Sequence, residues 1–389
     1  LRLGPMGEIG DCVANLDGET IGVFGGIPGE LVKARIYRYR RRKRSMVTGM
    51  VSQVIEPSPH RVEVPCPNFG PCSGCQWQHI DYQHQLELKR GIVSESFSSY
   101  CTLEEVNISP TLPAPSQFEY RNHARFTVRF GGQMGFSNRI TRRFVRIENC
   151  MLMAPEINEV LGGLQDKVSE TTNLSVRVGV NTGDRLIQPT LSAPDIPFAS
   201  GQKWYTEKLK GRIFRVASPS FFQVNTPQSE TLIDLVSEYL ALTKEQILVD
   251  AYAGVGTFAS ILAPNVKKVF AIEESASAVM DASSALSDVL NIEFLLGKTE
   301  KVLADIAEDI DALILDPPRV GCHPDTLKAV IERRPPRVAY VSCDPLSLAR
   351  DLDILVKGNY RVINVQPVDM FPQTYHVECV VTLGLSGQT

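Results

Sequence analysis

The alternation of apolar and polar residues changes at about residue 228. Beyond it, apolar runs of four to six residues alternate with segments of helical periodicity, which predicts buried parallel strands separated by helices. The predicted strands are ILVDA (247–251), KVFAIE (268–273), IEFLL (292–296), ALILDPP (312–318) and RVAYVSC (337–343). The chain ends with two more strand-like runs, NYRVINVQPVDMFP and HVECVVTLGL. We therefore predict a Rossmann-like, doubly wound α/β sheet closed by an antiparallel hairpin.

The region before this sheet is predicted to be mostly β structure. Residues 1–58 contain short β-rich stretches separated by turn residues such as Asp17-Gly18 and Pro28-Gly29. This is the size and rhythm of an oligonucleotide-binding (OB-like) β-barrel. Residues 84–100 have helical periodicity, and residues 110–222 alternate apolar and polar positions as antiparallel strands do.

The length of 389 residues exceeds that of one ordinary domain, so we predict a multidomain α/β protein. The OB-like β-barrel covers residues 1–58, and a central, mostly β domain with clustered cysteines covers residues 59–222. The Rossmann-like domain covers residues 223–389. We expect the helix near residues 80–108 to pack on this last domain.

Charge is unevenly distributed along the chain. The net charge is −4, from 40 Lys and Arg against 44 Asp and Glu, which excludes a uniformly basic coat. Two runs nevertheless contain no acid: residues 33–44, with eight basic residues in twelve, and residues 120–146, with seven arginines that include Arg139. Either run can be a solvated face, but two such runs in an acidic protein favour contact with a polyanion. The residues predicted to make these contacts are Arg38, Arg40, Arg41, Arg121, Arg125 and Arg142.

Composition bounds the class of protein. Hydrophobic content of 43% and charged content of 22% are typical of a globular protein, and no run of 18 apolar residues predicts a membrane span. The first residues, LRLGPMGEIG, lack the apolar core of a signal peptide, and we expect a few native residues to precede the leucine. The nine cysteines are odd in number, which argues against a secreted disulfide scaffold. We expect a cytoplasmic monomer.

A candidate cofactor site follows the first strand of the sheet. In VDAYAGVGTFAS (249–260), Gly254 and Gly256 allow a tight turn and the close approach of a ligand, although a plain tight turn has the same pattern. Glu273 ends the next strand, where a carboxylate can accept hydrogen bonds from ribose hydroxyls. Asp250 before the glycines favours the sulfonium of S-adenosylmethionine over NAD. Asp316, followed by two prolines and Arg319, is predicted to lie at the mouth of the same crevice.

A candidate reactive pair follows on the last strands. Cys343 ends a strand at the start of a helix, whose field favours its thiolate, although a cysteine at such a position is often a plain buried residue. Glu378 interrupts an apolar strand, where a carboxylate needs a partner or a function. A thiolate nucleophile and a carboxylate base can together add to an activated ring and then eliminate from it.

These motifs, taken in order, resemble a known family. GVGTF, DPPR, SCDP and HVE, with SFFQVN at 220–225, are similar to the RNA uracil-C5 methyltransferases that use S-adenosylmethionine. The N-terminal module resembles the TRAM domain. The C-x5-C-x2-C spacing at 66–75, together with Cys150, resembles the branch that carries an iron–sulfur cluster. The resemblance covers essentially the whole chain.

The resemblance implies a role for each site residue. Cys343 attacks C6 of the target uracil, C5 takes the methyl group, and Glu378 removes the C5 proton. Asp316 hydrogen-bonds to substrate or cofactor. Gln223 and Tyr252 line the cofactor site with Glu273, although a turn residue and a core residue are the ordinary alternatives. Residues 297–300 depart from the family pattern, so no adenine contacts are assigned there.

Three thiols lie within ten residues, at Cys66, Cys72 and Cys75, and Cys150 is the best candidate for a fourth. Four thiolates suit zinc or an iron–sulfur cluster, and the resemblance implies [4Fe–4S]. Methyl transfer moves no net electrons from the protein, so we expect a structural or RNA-orienting role. The remaining cysteines are predicted to be plain buried residues: Cys12, Cys101, Cys322 and Cys379.

The leading hypothesis is therefore an enzyme that makes 5-methyluridine in RNA, with 23S ribosomal RNA favoured over transfer RNA. Extruding the target base costs a few kcal/mol, which phosphate contacts by the arginines and stacking on Tyr37 and Tyr39 can offset. One alternative is a non-catalytic iron–sulfur RNA-binding protein, which has no need for Cys343 or Glu378. The other is a DNA or small-molecule methyltransferase, which has no need for the TRAM-like module.

Overall fold

The computed structural model of the protein describes residues 1–41, 44–138, 140–193 and 195–387. Of the basic residues considered above, Arg42, Lys43 and Arg139 lie outside the described residues, and for Arg40 and Arg41 the description covers the backbone alone. Within the described ranges, every helix is too short or too polar to cross a lipid bilayer.

The N-terminal part is a four-stranded sheet in the order β1-β2-β4-β3. Its strands are β1 (Cys12–Leu16), β2 (Glu19–Phe24), β3 (Leu31–Arg41) and β4 (Arg44–Glu56). The first residues of the chain bridge its two edges, since Arg2 pairs with Leu31 and Met6 pairs with Cys12. The β-rich character of this region is confirmed, whereas closure into an OB-like barrel stays a prediction.

Residues 38–41 and 44 of the basic run lie on a two-stranded extension of this sheet. β2 pairs with β4 only as far as Thr48, whereas β3 and β4 stay in register out to the pair Arg41 and Arg44. The outer halves of the two strands therefore form a ribbon without a third strand. Arg38 on this ribbon is exposed.

Helix α1 (Tyr82–Phe97) links the N-terminal half to the C-terminal sheet. It begins where the side chain of Asp81 accepts the N–H of His84 at 3.3 Å, which satisfies one of the free N–H groups of the first turn. Val93 and Phe97 on its inner face are buried in the same hydrophobic cluster as strands of the C-terminal sheet.

The central region is an antiparallel sheet of five strands in the order β7-β6-β5-β8-β9, as the alternating pattern predicts. Its strands are β5 (His123–Val128), β6 (Met134–Ser137), β7 (Phe144–Arg146), β8 (Asn173–Val178) and β9 (Arg185–Gln188). Helix α2 (Pro155–Leu164) covers one face, where Ile157 and Leu161 are buried against Phe126 and Val176.

A separate hairpin follows, made of β10 (Trp204–Leu209) and β11 (Arg212–Ala217). Its two-residue turn, Lys210-Gly211, has positive φ at both positions (48° and 83°), the geometry that matches the twist of a tight hairpin. Tyr205 and Phe214 on the inner face are buried together with residues of the C-terminal sheet.

The C-terminal region is a seven-stranded sheet in the order β14-β13-β12-β15-β16-β18-β17. Its strands are β12 (Ile247–Ala251), β13 (Lys268–Glu273), β14 (Ile292–Leu296), β15 (Ala312–Leu315), β16 (Arg337–Ser342), β17 (Tyr360–Val368) and β18 (Glu378–Leu385). Its helices are α3 (Thr226–Leu240), α4 (Thr257–Leu262), α5 (Ala276–Ala285), α6 (Thr299–Asp305), α7 (Pro324–Arg333) and α8 (Pro345–Lys357).

The first five strands of this sheet are parallel, and the β17–β18 hairpin is antiparallel to them. The predicted Rossmann-like sheet closed by an antiparallel hairpin is thus confirmed. From β12 the chain builds the sheet outward in both directions, to β13 on one side and to β15 on the other. Open α/β sheets bind ligands at such a switch point, outside the carboxyl ends of the strands. The division into domains at residues 58 and 222 stays a prediction.

Candidate active site

A cavity of about 1180 Å³ opens at the carboxyl ends of the parallel strands. Its wall comes from the turn after β12, the end of β13, the loop after β15, the residue after β16 and the first residue of β18. The predicted site residues that line it are Gln223, Tyr252, Gly254, Glu273, Asp316, Cys343 and Glu378.

Cys343 and Glu378 face each other because of the register between β16 and β18. Ser342 pairs with Cys379 in this antiparallel ladder, so the next step along both strands sets Cys343 opposite Glu378. Successive side chains of a strand point to opposite faces. Accordingly Cys379 is buried in the core with Tyr340, whereas Glu378 lines the cavity.

Burial makes the ionised forms of these groups unfavourable. It raises the pKa of Glu378 to about 8, and the nearby Asp316 carboxylate adds to the shift. It raises the pKa of Asp316 itself to about 7. The pKa of Cys343 is raised to about 11, first by burial and then by the charge of Glu378.

The direction for Cys343 is opposite to the one expected from the field of a helix. Asp344 caps the N-terminus of α8, where its carboxylate accepts the N–H of Ser347 at 3.0 Å. Cys343 therefore lies one residue outside the cap, next to that negative charge. Burial and three surrounding carboxylates outweigh the helix field and favour the neutral thiol.

Arg319 is a site residue to which sequence reasoning assigned no role. It lines the cavity, and its charge lowers the pKa of both Cys343 and Glu378, against the effect of burial. Its Nη2 lies 3.3 Å from Nδ1 of His376. The signal was present in the sequence, because a cation that follows two rigid prolines at a strand end is aimed into the crevice.

The turn after β12 is held together by two carboxylates. The N–H groups of Gly254 and Ser275 donate to the two oxygens of Glu273, at 2.9 and 2.7 Å. Asp250 is buried behind the turn, where it accepts the N–H of Ala259 at 2.9 Å, and burial raises its pKa to about 7. Asp250 therefore supports the turn and is not part of the cavity wall.

The two glycines of the turn differ in their surroundings. Gly254 has φ of 56° and open space where a Cβ would stand, so a ligand can approach its backbone. Gly256 has φ of 77°, and a Cβ there would meet Leu286 and Phe294. Gly256, a predicted cofactor residue, is not part of the cavity wall, and backbone shape and packing account for its glycine.

The other two predicted cofactor residues, Tyr252 and Gln223, also line the cavity. Tyr252 has φ of 69°, and its hydroxyl lies 3.3 Å from that of Thr326. Gln223 is half-buried, and its carbonyl accepts the side-chain N–H of Asn122 at 3.0 Å.

Asp351 of α8, which the sequence did not single out, holds the loop that carries Asp316 and Arg319. Its fully buried carboxylate accepts the N–H of Cys322 and the hydroxyl of Tyr340, each at 2.7 Å. Its other oxygen accepts two N–H groups of Arg350. The loop after β15 is therefore fixed to the helix that follows Cys343.

The segment before Glu378 connects the site to the N-terminal half. Asp369 forms an ion pair with Lys89 of α1, and both side chains are fully buried. The carbonyl of Gln373 accepts the N–H groups of Gln76 and Trp77, both at 3.1 Å. The cysteine-bearing loop thus reaches the segment that leads into β18.

The four predicted ligand cysteines come together, each of them half-buried. Burial raises the pKa of Cys72, Cys75 and Cys150, and charges on the neighbouring thiols, including Cys66, raise it further. Across the described ranges, no three His, Cys, Asp or Glu side chains stand close enough to hold one metal ion. The electrostatic effects among the four thiols indicate that they are near one another, and the iron–sulfur cluster stays a prediction.

Of the remaining cysteines, Cys12, Cys322 and Cys379 are buried, as predicted. The prediction for Cys101 is wrong, because it is exposed. It lies in a short 3-10 helix after α1 (Cys101–Leu103), whose buried residue is Leu103.

The arginines of the second basic run have different environments. Arg125 and Arg142 are exposed, whereas Arg121 is half-buried, close enough to Cys150 to counteract the rise in its pKa. Arg146 is engaged by Asp166, with two contacts at 2.6 and 2.7 Å. The acidic partner of Arg146 therefore comes from outside the acid-free run.

Comparison with known proteins identifies relatives over the whole chain. The family described as tRNA (Uracil-5-)-methyltransferase matches residues 204–385. An uncharacterized RNA methyltransferase of Gloeobacter violaceus is 34% identical, covering 96% of this chain and 93% of its own. One of Halalkalibacterium halodurans is 31% identical, covering 96% and 94%.

A solved structure is also similar along its whole length. It is the tRNA (uracil-54, C5)-methyltransferase of Pyrococcus abyssi in complex with S-adenosyl-L-homocysteine. It has 25% sequence identity and a TM-score of 0.75, covering 98% of this chain and 99% of its own. These comparisons favour an enzyme over a non-catalytic RNA-binding protein.

Proposed function

The chain belongs to the S-adenosylmethionine-dependent RNA uracil-C5 methyltransferase family, and we propose that it converts a uridine of RNA into 5-methyluridine with Cys343 as nucleophile and Glu378 as base. The observation that carries this proposal is the position of Cys343 opposite Glu378 on the wall of one cavity. A thiol and a carboxylate in such an arrangement suit addition to a ring followed by elimination.

The first step is attack of the Cys343 sulfur on C6 of the uracil. The new S–C6 bond forms as the C5=C6 electron pair moves to C5, which becomes nucleophilic. S-adenosylmethionine supplies the methyl group, whose bond to the sulfonium sulfur breaks as the bond to C5 forms. Glu378 then removes the C5 proton, the C5=C6 bond is restored, and the Cys343 thiolate leaves.

The protonation states indicate when the pair becomes reactive. The pKa of Cys343 is about 11 and that of Glu378 about 8, so both groups are largely protonated at neutral pH. Arg319 already lowers both values, and a sulfonium cation bound in the same cavity acts in the same direction. We therefore expect a filled site to be required for a thiolate and a carboxylate.

The cofactor residues proposed are Gln223, Tyr252, Gly254, Glu273 and Asp316, with Gly256 acting through the shape of the turn. Each oxygen of Glu273 accepts one backbone N–H and has a second lone pair for a ribose hydroxyl. Asp316, half-buried beside Glu378, suits a cation or a hydrogen-bond donor of the substrate.

We also propose that Cys66, Cys72, Cys75 and Cys150 hold a [4Fe–4S] cluster. Their mutual repulsion as thiolates is the feature that a metal cluster would relieve. The cluster would act as a structural element, since the loop that bears it hydrogen-bonds to Gln373. The reaction itself requires no electron transfer.

The substrate proposed is RNA, and 23S ribosomal RNA is the first candidate because the chain combines an N-terminal β module with a loop of three cysteines and a fourth cysteine at position 150. Residues 1–58 would form an OB-like, TRAM-type RNA-binding module, and the predicted phosphate contacts include Arg38, Arg125 and Arg142, all exposed. Transfer RNA is the second candidate, because the similar Pyrococcus abyssi structure is that of a tRNA methyltransferase.

Mapping of modified nucleosides tests the proposal. Ribosomal and transfer RNA from a strain that lacks the gene would be compared by mass spectrometry with RNA from strains complemented with the wild type or with Cys343→Ala. We expect one 5-methyluridine site to be lost on deletion and restored by the wild type alone. An unchanged set of 5-methyluridine sites would refute the proposed function.

A further inference from the structure

The β10–β11 hairpin has one buried face and one face that carries large exposed side chains. Tyr205 and Phe214 are buried in the core, whereas Trp204 is 45% exposed and Ile213 is 57% exposed. Exposed aromatic side chains on an ordered sheet face are typical of interaction sites.

On the exposed face, Arg215 stacks on Trp204. The guanidinium carbon lies 3.6 Å from the centre of the ring. The register explains the contact, because Thr206 pairs with Arg215 and Trp204 pairs with Ala217, so that the two side chains are diagonal neighbours on one face. In the described part of the chain no carboxylate pairs with Arg215, so an aromatic ring positions its charge and no acid neutralises it.

The charge around this stack is positive. Lys208 lies on the same face, two residues beyond Thr206, and Lys203 immediately precedes Trp204; both are exposed. The only ion pairs found for residues of this hairpin, within the described ranges, are those of Lys210 and Arg212. One acid, Asp184, is held on this face by the N–H and hydroxyl of Thr206, and it leaves an excess of positive charge.

The stack lies close to the cavity wall. The N–H of Ser218 donates to the carbonyl of Lys203 at 2.9 Å, which returns the chain beside Trp204. From there the chain leads directly to Phe221, which is 72% exposed and lines the cavity. Pro219, the residue after Ser218, already lines the cavity, so the Trp204 end of the hairpin lies beside the cavity wall.

We propose that the exposed face of the β10–β11 hairpin binds an unpaired RNA segment adjoining the target uridine. A base stacks on the exposed part of the Trp204 ring, while Arg215, Lys203 and Lys208 contact phosphates. Aromatic side chains beside a basic surface are the way proteins hold single strands without reading their sequence. This inference rests on the proposed function, because it takes RNA to be the substrate.

The tryptophan content provides a direct test. The protein has two tryptophans, and Trp77 is fully buried, so a bound base can stack only on Trp204. Titration of the full-length protein with an oligouridylate of about twelve nucleotides should quench the tryptophan fluorescence in a saturable way. Trp204→Phe should abolish the quenching while it retains binding of a fluorescently labelled oligouridylate, and Trp204→Ala should weaken that binding about tenfold.

The phosphate contacts are tested by the dependence of binding on salt. Lys208→Ala should lower the slope of log affinity against log salt by about one. Lys244→Ala is the matched control. Lys244 is also exposed, but it precedes β12 and so lies near the amino ends of the strands, whereas the cavity lies at their carboxyl ends. The control should leave both the slope and the affinity unchanged.

Methylation of RNA by the same preparations separates the two proposals. If the wild type methylates RNA while oligouridylate leaves its tryptophan fluorescence unchanged, the inference about the hairpin is wrong and the proposed function stands. Quenching without any methyl transfer supports the hairpin surface and refutes the proposed function. Equal quenching by a duplex RNA of the same length would overturn the stacking of an unpaired base.

Discussion

Two regions bring together groups that repel one another when ionised. One is the cavity floor, formed by Cys343, Glu378 and Asp316, and the other is the cysteine loop, residues 66–75, with Cys150 beside it. The surroundings of the two regions differ. On the floor, Cys343, Glu378 and Asp316 line about 1180 Å³ of open space and have the cation Arg319 beside them. The four cysteines have one another as neighbours, with Arg121 acting on Cys150.

The two regions differ in how long their groups have to carry a negative charge. Groups that face an open cavity can change their protonation state as a cationic ligand enters and leaves, which is what a reaction cycle requires. Thiols that raise one another's pKa have to be stabilised permanently, by protons or by a metal centre. The predictions below test each half of this comparison, and the largest expected effect comes first.

Removal of the nucleophile tests the floor most directly. Cys343→Ala should lower methyl transfer about 10⁴-fold, since no other group can form the bond to C6. Transfer of radiolabelled methyl groups to RNA measures the rate, and gel retardation should show unchanged RNA binding. Cys101→Ala, at an exposed cysteine, is the control and should retain full activity. A Cys343→Ala protein that still methylates would end the assignment.

Removal of the base should stop the cycle later. Glu378→Gln keeps the size of the side chain but cannot accept the C5 proton, so the methylated adduct stays attached to Cys343. Turnover should fall about 10³-fold, the range of a general base. Denaturing electrophoresis should reveal a slowly migrating protein–RNA band that is absent from the double variant with Cys343→Ala. Free 5-methyluridine product formed at the wild-type rate would contradict the role.

The strands of the C-terminal sheet were predictable because both of their faces are buried, which leaves short apolar runs in the sequence. The pairing of Cys343 with Glu378 was expected only from the family resemblance, because the local pattern does not contain the register between β16 and β18. The buried ion pair of Lys89 and Asp369 was also invisible, since a lysine on an amphipathic helix has the same sequence pattern as a solvated one.

The electrostatic prediction for Cys343 failed for a related reason. The position at a helix start can be inferred from the sequence, but the depth of burial and the number of facing carboxylates cannot. Gly256 was recognised as a residue of the turn, yet its neighbours Leu286 and Phe294 come from elements that the motif does not include. Local patterns thus identified the elements, and tertiary packing determined the chemistry.

Loss of one cysteine ligand tests the other half of the comparison. Cys75→Ser should remove iron and sulfide from protein purified without oxygen, together with its visible colour. Because the same loop hydrogen-bonds to Gln373, unfolding free energy should fall by about 3 kcal/mol, as when a structural metal site is lost. Cys101→Ser should change neither quantity. Wild-type protein free of iron would refute the cluster while leaving the catalytic pair untouched.

The smallest predicted effect is on the pH dependence of the unfolding free energy, through Glu378 on the cavity floor. In the folded, ligand-free protein the pKa of Glu378 is about 8, against a normal value of 4.5. Between these values the folded state keeps a proton that the unfolded state has released, so the unfolding free energy of the wild type falls as pH rises. Glu378→Gln lacks this term. Denaturant unfolding at about pH 5.5 and about pH 7.5 should show the variant gaining about 2 kcal/mol relative to the wild type.

Two comparisons make this measurement specific to the cavity. Glu95→Gln makes the same charge change at an exposed site on α1 and should gain nothing relative to the wild type. Saturation of the wild type with S-adenosylmethionine, a cation, should reduce the loss of stability with pH more than saturation with the neutral S-adenosylhomocysteine, because only the former stabilises the Glu378 carboxylate. If the unfolding free energy depended on pH equally with the two ligands, the charge of the methyl donor would have no effect on Glu378. The cavity floor would then differ from the cysteine loop only in the open space beside it.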